Sequence, residues 1–72
     1  MNKRLLEVLQ KQPKQQRIAF ILCEVGGFTY KEIAQEMNIS VGAVGRYISN
    51  VRQELFQVAQ RENIDFELRI SL

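Results

Sequence analysis

The sequence contains no histidine and only one cysteine and one proline among its 72 residues. Without histidine, the commonest general base and the usual zinc-ligand spacings are missing. A single cysteine, Cys23, cannot form an internal disulfide. No apolar run approaches the roughly 18 residues that a transmembrane helix needs. We therefore expect a cytoplasmic binding module that is not an enzyme, carries no metal or cofactor and does not associate with membranes.

The chain is also too short for two independent cores. A domain of this size buries only roughly 60% of its unfolded surface, which is enough for one small core. Ten basic and eight acidic residues nearly balance, but residues 1–17 carry five basic side chains against Glu7 alone. Such a local excess is typical of a polyanion-binding surface and equally of a solvated helix face. Charge alone therefore neither establishes nor excludes a nucleic-acid partner.

The apolar spacing predicts an all-α fold with four helices, near residues 3–12, 14–25, 30–37 and 41–60. Asn2 is suited to cap the first helix, and Pro13 to end it and to occupy the first turn of the second. Gly26 and Gly27 end the second helix. The predicted inner faces are Leu5, Leu6, Val8 and Leu9 in the first helix, and Ile18, Ile21, Leu22 and Val25 in the second.

The third and fourth predicted helices are joined by a short turn. Thr29 stands three residues before Glu32, which is the spacing of a capping box. Asn38 tolerates the left-handed conformation of a tight turn, and Ser40 is suited to cap the fourth helix. One side of that helix is an apolar seam, and the other is polar, slender and nearly free of acidic residues. The seam comprises Val41, Val44, Ile48, Val51, Leu55 and Val58.

This combination favours a helix-turn-helix over a plain helical bundle. The stretch "PKQQRIAFILCEVGGFTYKEIAQEMNISVGAVGRYISNVRQEL" resembles region 4 of the sigma-70 family, most closely the extracytoplasmic-function sigma factors. The run "YKEIAQEMNISVGAV" is the most specific part of the resemblance. LuxR-type effector domains share a similar core, and they remain an alternative. The Pro-x-x-x-Arg opening and Tyr30 favour the sigma family.

The resemblance implies recognition of a promoter −35 element in transcription initiation, with the fourth helix in the major groove. It implies that Arg46 contacts guanine and Asn50 adenine, and that Thr29, Lys31 and Arg52 reach phosphates. Many family members carry a basic residue at the positions of Gly45 and Asn50, so we expect weaker DNA binding from this domain. The implied DNA-binding residues are Thr29, Lys31, Ser40, Gly42, Ala43, Gly45, Arg46, Ser49, Asn50 and Arg52.

The partners implied are promoter DNA, the RNA polymerase core and an anti-sigma factor. A second hypothesis is a protein-interaction module that docks on polymerase, on an anti-sigma factor or on itself. Either an excised region 4 or a free-standing relative is consistent with the residues present.

The sequence divides into a helix-turn-helix domain, residues 1–60, and an extended tail, residues 61–72. From residue 64 onward, apolar and polar residues alternate strictly, which is a strand pattern. We predict that residues 64–72 pair in trans, in a homodimer or with a partner protein. The alternative is an arm that lies across the helical core of the same chain.

Overall fold

A computed structural model of the chain describes residues 2–64, and the predicted all-α architecture is confirmed for that part. Its four helices are α1 (Lys3–Gln10), α2 (Lys14–Glu24), α3 (Tyr30–Met37) and α4 (Val41–Arg61). Residues 2–64 contain no strand. α4 is the longest helix and packs against all three others, so it forms the centre of the fold.

α1 begins as predicted but ends two residues earlier. The Asn2 side chain accepts a hydrogen bond from the Arg4 amide at 2.7 Å. Pro13 adopts an extended conformation just before α2, with ψ of 141°, and a proline disfavours helical backbone at the preceding residue. The chain therefore leaves the helix before Gln12. The Arg17 guanidinium donates to the free carbonyl of Gln10 at 2.8 Å, so it caps α1.

α2 ends at two glycines that meet different demands. Gly27 has a φ of +72°, a left-handed conformation that glycine adopts without steric cost. Gly26 is constrained by space, since a Cβ there would lie 2.8 Å from the Leu22 carbonyl oxygen. The prediction that this pair terminates α2 is confirmed, with the last helical residue at Glu24.

The inner face predicted for α2 is wrong for Ile21 and Val25, whereas Leu22 packs against the core and Ile18 is half-buried. The buried residues of this helix are Ala19, Phe20 and Cys23, while Ile21 is exposed and Val25 is 81% exposed. α2 is apolar on nearly all sides between residues 18 and 23, so the spacing did not distinguish the buried stripe from its neighbours. The buried stripe includes the small Ala19, which is fully covered.

The seam predicted for α4 is confirmed except at its first residue. Val44, Ile48, Val51, Leu55 and Val58 are all buried, and Ala59 joins them. Val41 is 49% exposed because it lies in the first turn, beyond the packed neighbours. Leu6, predicted for the inner face of α1, is likewise 43% exposed.

The turn between α3 and α4 follows the predicted chemistry closely. Asn38 has φ 57° and ψ 48°, the left-handed conformation. The amide of Ile39 donates to the Ala34 carbonyl at 3.0 Å and that of Asn38 to the Gln35 carbonyl at 3.3 Å, the pairing of a Schellman motif. Ser40 then caps α4 by accepting from the Ala43 amide at 3.0 Å. Three residues, 38–40, thus connect the two helices.

The same motif ends α4. Asn63 has a φ of 56°, and the Ile64 amide donates to the Ala59 carbonyl at 2.8 Å. The side chain of Ile64 packs against the core cluster. The predicted strand-like stretch, residues 64–72, lies outside the described residues from position 65 onward.

Candidate nucleic-acid interface

The exposed face of α4 is a narrow polar ridge. Its residues are opposite the buried seam, because positions differing by three or four share one side of an α-helix. None of them is acidic, and glycine and serine make up two of the five. The ridge comprises Gly42, Arg46, Ser49, Asn50 and Gln53, all exposed.

Arg46 is the cation of this ridge. Its guanidinium lies 5.8 Å from the ring centroid of Tyr47, within the range of a cation–π contact. Within residues 2–64 it forms no ion pair. The guanidinium donors are therefore available to an external acceptor, while the neighbouring ring restrains the side chain.

Gly45, one of the implied DNA-binding residues, lies at one edge of the ridge. It is half-buried, and a Cβ built there would lie 3.6 Å from Cε2 of Tyr30 in α3. Ala43 is half-buried too, but it lies about 200° around the helix from Gly45, at the other edge of the ridge. The ridge thus abuts the first turn of α3 along the Gly45 edge.

Asn50 lies at the opposite edge, about 140° around the helix from Gly45 at 3.6 residues per turn. Its Nδ2 donates to Oε1 of Gln16 in α2 at 2.8 Å. Sequence reasoning missed Gln16, which is 34 residues away along the chain. No periodicity or motif links two polar residues at that separation, so only the packing of α2 on α4 reveals the pair.

The N-terminus of α3 forms the predicted capping box. The Thr29 hydroxyl accepts from the Glu32 amide at 3.1 Å, and Glu32 Oε1 accepts from the Thr29 amide at 2.8 Å. The capping box uses the backbone amides of Thr29 and Glu32, and it places the Glu32 carboxylate beside the Thr29 hydroxyl, which was expected to reach a phosphate. Lys31 is exposed at the same end and supplies positive charge.

Arg52 lies outside the ridge and is half-buried, close enough to Cys23 of α2 for its charge to act on that thiol. Its Nε is buried and has no hydrogen-bond partner within the described residues, and the same holds for Oε2 of Glu24. Burial raises the pKa of the neighbouring Cys23 thiol; the Arg52 charge opposes that rise, and the Glu24 charge adds to it. Burial of Nε removes one Arg52 donor from the predicted phosphate contact, which stays a prediction.

Some of the basic side chains in residues 1–17 form contacts within the fold. The Nε of Arg4 donates to both carboxylate oxygens of Glu62 at 3.0 Å, which ties α1 to the end of α4. Arg17 caps α1, as described above. Two of the five basic side chains in residues 1–17 therefore have structural partners, which weakens the charge argument for that segment as a DNA surface.

Two further properties of residues 2–64 bear on function. None of their helices combines the length and hydropathy that a membrane crossing requires. They also contain no cluster of three or more cysteine, aspartate or glutamate side chains able to hold a metal ion.

Comparison with known proteins identifies one family. The family model described as "Sigma-70, region 4" matches residues 2–55, three quarters of the chain. The matched segment contains the capped α3, the Asn38 turn and the entire polar ridge of α4. Neither the curated proteins nor the solved structures gave a match.

Proposed function

The chain belongs to the sigma-70 region 4 family, which comprises DNA-binding helix-turn-helix domains, and on this premise we propose that it reads a promoter −35-type element. In this role it acts with RNA polymerase in transcription initiation and therefore in the cytoplasm. α4 enters the major groove, and α3 rests across the sugar–phosphate backbone, as in other helix-turn-helix proteins.

The observation that supports this proposal most is the shape and charge of the ridge on α4. The major groove, about 12 Å wide, admits a single α-helix. Gly42 and Ser49 keep the ridge slender, so the backbone of α4 can approach the base edges closely. Arg46 supplies the positive charge at its centre, and no carboxylate on the ridge repels the phosphates.

Three of the ridge residues have chemically suited roles in this complex. Arg46 forms a bidentate pair with O6 and N7 of guanine, and Asn50 pairs with N6 and N7 of adenine. Ser49 donates to a base edge or an adjoining phosphate. The small residues Ala43 and Gly45 border the path of the backbone, and Ser40 starts the helix that enters the groove.

Phosphates are held from α3. Lys31 and the Thr29 hydroxyl, at the N-terminus of that helix, contact one strand beside the groove. Arg52 is left out of the proposed contact set because its Nε is buried, with Cys23 of α2 nearby. Few cations then face the DNA, so binding by this domain alone is modest and depends weakly on salt.

A selection experiment tests the proposal. Wild-type protein is mixed with duplexes that share fixed ends and a randomised centre, and the retained duplexes are sequenced. We expect enrichment of one short motif, and affinity for it that exceeds affinity for a scrambled duplex of equal composition. Retention without enrichment of any motif would show non-specific binding and contradict the proposal.

A second candidate function is docking on a protein, either the polymerase core or an anti-sigma factor. Large apolar side chains outside the core support it, notably Val25 and Phe56, which is 51% exposed. Phe56→Ser should weaken association with the polymerase core, whereas Gln57→Ser, one residue along on the same helix, should not. Equal effects of the two substitutions would argue against docking through Phe56.

The trans-pairing of residues 64–72 remains a prediction. Ile64 packs against the core of its own chain, so the sharpest variant ends after Ile64 and retains that contact. Removing residues 65–72 should dissociate the proposed homodimer or partner complex in sedimentation experiments while the helical circular dichroism signal is retained. An unchanged assembly state together with a lower melting temperature would instead identify the segment as an intramolecular arm.

A further inference from the structure

The hydrogen bond between Gln16 and Asn50 connects a residue outside the helix-turn-helix to the edge of the polar ridge. Asn50 is exposed and Gln16 half-exposed, and the two side-chain amides meet at 2.8 Å. An exposed hydrogen bond between neutral groups adds little to stability. The α2–α4 contact is already formed by buried residues such as Phe20 and Ile48. The pair therefore contributes little to holding the two helices together.

The chemistry of the amide group shows what the pair can do instead. The Asn50 side chain has two N–H donors and one carbonyl acceptor. Bidentate reading of adenine uses the carbonyl and one N–H. Gln16 accepts from Nδ2 and so occupies one donor, which leaves the carbonyl and the other N–H for a base. Gln16 can thus hold the Asn50 amide through one N–H while the carbonyl and the second N–H contact a base.

We propose that Gln16 is a positioning residue for base recognition by Asn50. It fixes the orientation of the Asn50 amide before DNA arrives, which lowers the ordering cost of binding and selects which edge of the amide faces the bases. This inference rests on the proposed function, and it extends the base-reading unit from α4 to α2. Gln16 itself need not touch the DNA.

A double-mutant cycle tests the inference. Gln16→Ala, Asn50→Ala and the double variant are compared on the duplex selected by wild-type protein and on its single-base-pair variants. Gln15→Ala is the matched control, because Gln15 is the exposed neighbour in the same turn. We expect Gln16→Ala to weaken binding to the selected duplex by about three- to tenfold, with no further loss when it is added to Asn50→Ala.

The base preference provides the readout that a structural role would not change. Gln16→Ala should flatten the preference at the same base pair as Asn50→Ala, while Gln15→Ala leaves it intact and all variants keep the wild-type melting temperature. Additive losses, or an equal loss on every duplex, would overturn the inference and indicate an independent backbone contact by Gln16. An unchanged affinity in Gln16→Ala would overturn it as well.

A measurement on the free protein separates this inference from the proposed function. The Asn50 side-chain amide resonances should shift in Gln16→Ala and stay in place in Gln15→Ala. If wild-type protein selects no motif, the proposed function fails even where the resonances shift. If a motif is selected but the Asn50 resonances do not respond to Gln16→Ala, the positioning role alone is refuted.

Discussion

The two faces of α4 differ in both composition and surroundings. The inner face presents Val44, Ile48 and Val51 to the other helices, and these side chains are at most 1% exposed. The outer face presents Arg46, Ser49 and Asn50 to solvent, where Arg46 contacts the Tyr47 ring and Asn50 is hydrogen-bonded to Gln16. One helix therefore stabilises the domain through one side and is free to bind through the other. Substitutions on the two faces should separate stability from binding.

The largest expected effect is on the inner face. Ile48→Ala should lower the free energy of unfolding by about 2–5 kcal/mol, because it removes buried methyl groups and leaves a cavity. Ser49→Ala, the adjacent residue on the outer face, should change it by no more than about 0.5 kcal/mol. Urea unfolding followed by circular dichroism measures both, and Ile48→Val gives a smaller loss if the alanine variant fails to fold. Comparable losses at residues 48 and 49 would contradict the separation of the faces.

Substitutions at Gly42 and Gly45 of α4 test how effects on stability and on DNA binding differ across the ridge. A Cβ at Gly45 meets the Tyr30 ring at 3.6 Å, an ordinary contact, and one at Gly42 meets only Ser40 Oγ at 3.9 Å. Gly45→Ala should stabilise the domain by about 1 kcal/mol through helix propensity. Gly42→Ala adds its methyl group to the face that approaches DNA, so it alone should weaken duplex binding.

Gly45→Arg extends this test to charge. It adds a cation beside the groove and removes a helix-destabilising residue, so affinity for duplex DNA should rise. A fall in affinity, measured by fluorescence anisotropy, would mean that the backbone at Gly45 approaches the DNA closely. The orientation of α4 proposed here would then be wrong.

The smallest expected effect concerns Cys23, on the buried side of α2. Burial raises the pKa of its thiol, with Glu24 adding to the rise and Arg52 opposing it. The folded protein therefore keeps its thiol proton at an alkaline pH at which the unfolded chain has lost it. The unfolded state then binds fewer protons, so stability falls as pH rises through that range. Melting temperatures across alkaline pH should fall more steeply for wild-type protein than for Cys23→Ala.

Local signals in the sequence were sufficient to predict the four helices, with each end placed within two residues of its observed position. The capping box of Thr29 and Glu32, the left-handed Asn38 and the Ser40 cap each depend on residues within four positions of one another. Such interactions leave a spacing that can be read directly, and all were confirmed. The polar ridge followed from the same helical spacing.

Features that depend on packing between helices were predicted poorly. The buried stripe of α2 was misassigned in part, because residues 18–23 are apolar on nearly every side of that helix. The roles of Arg4 and Arg17 as structural partners, and of Gln16 as a partner of Asn50, depend on contacts between separate elements. A charged or amide side chain looks the same in the sequence whether it binds a neighbour or a ligand.

The most direct test of sequence reading by α4 compares two arginines on that helix. Arg46→Ala removes a cation from the ridge, and Arg61→Ala removes one from the last turn, 15 residues and about 22 Å away at 1.5 Å per residue. Binding to the selected duplex and its single-base-pair variants should weaken by about 1–3 kcal/mol in Arg46→Ala, with one base preference relaxed. Arg61→Ala should retain every preference. Equal, sequence-independent losses in the two variants would contradict base recognition by Arg46 and, with it, the proposed reading of DNA by α4.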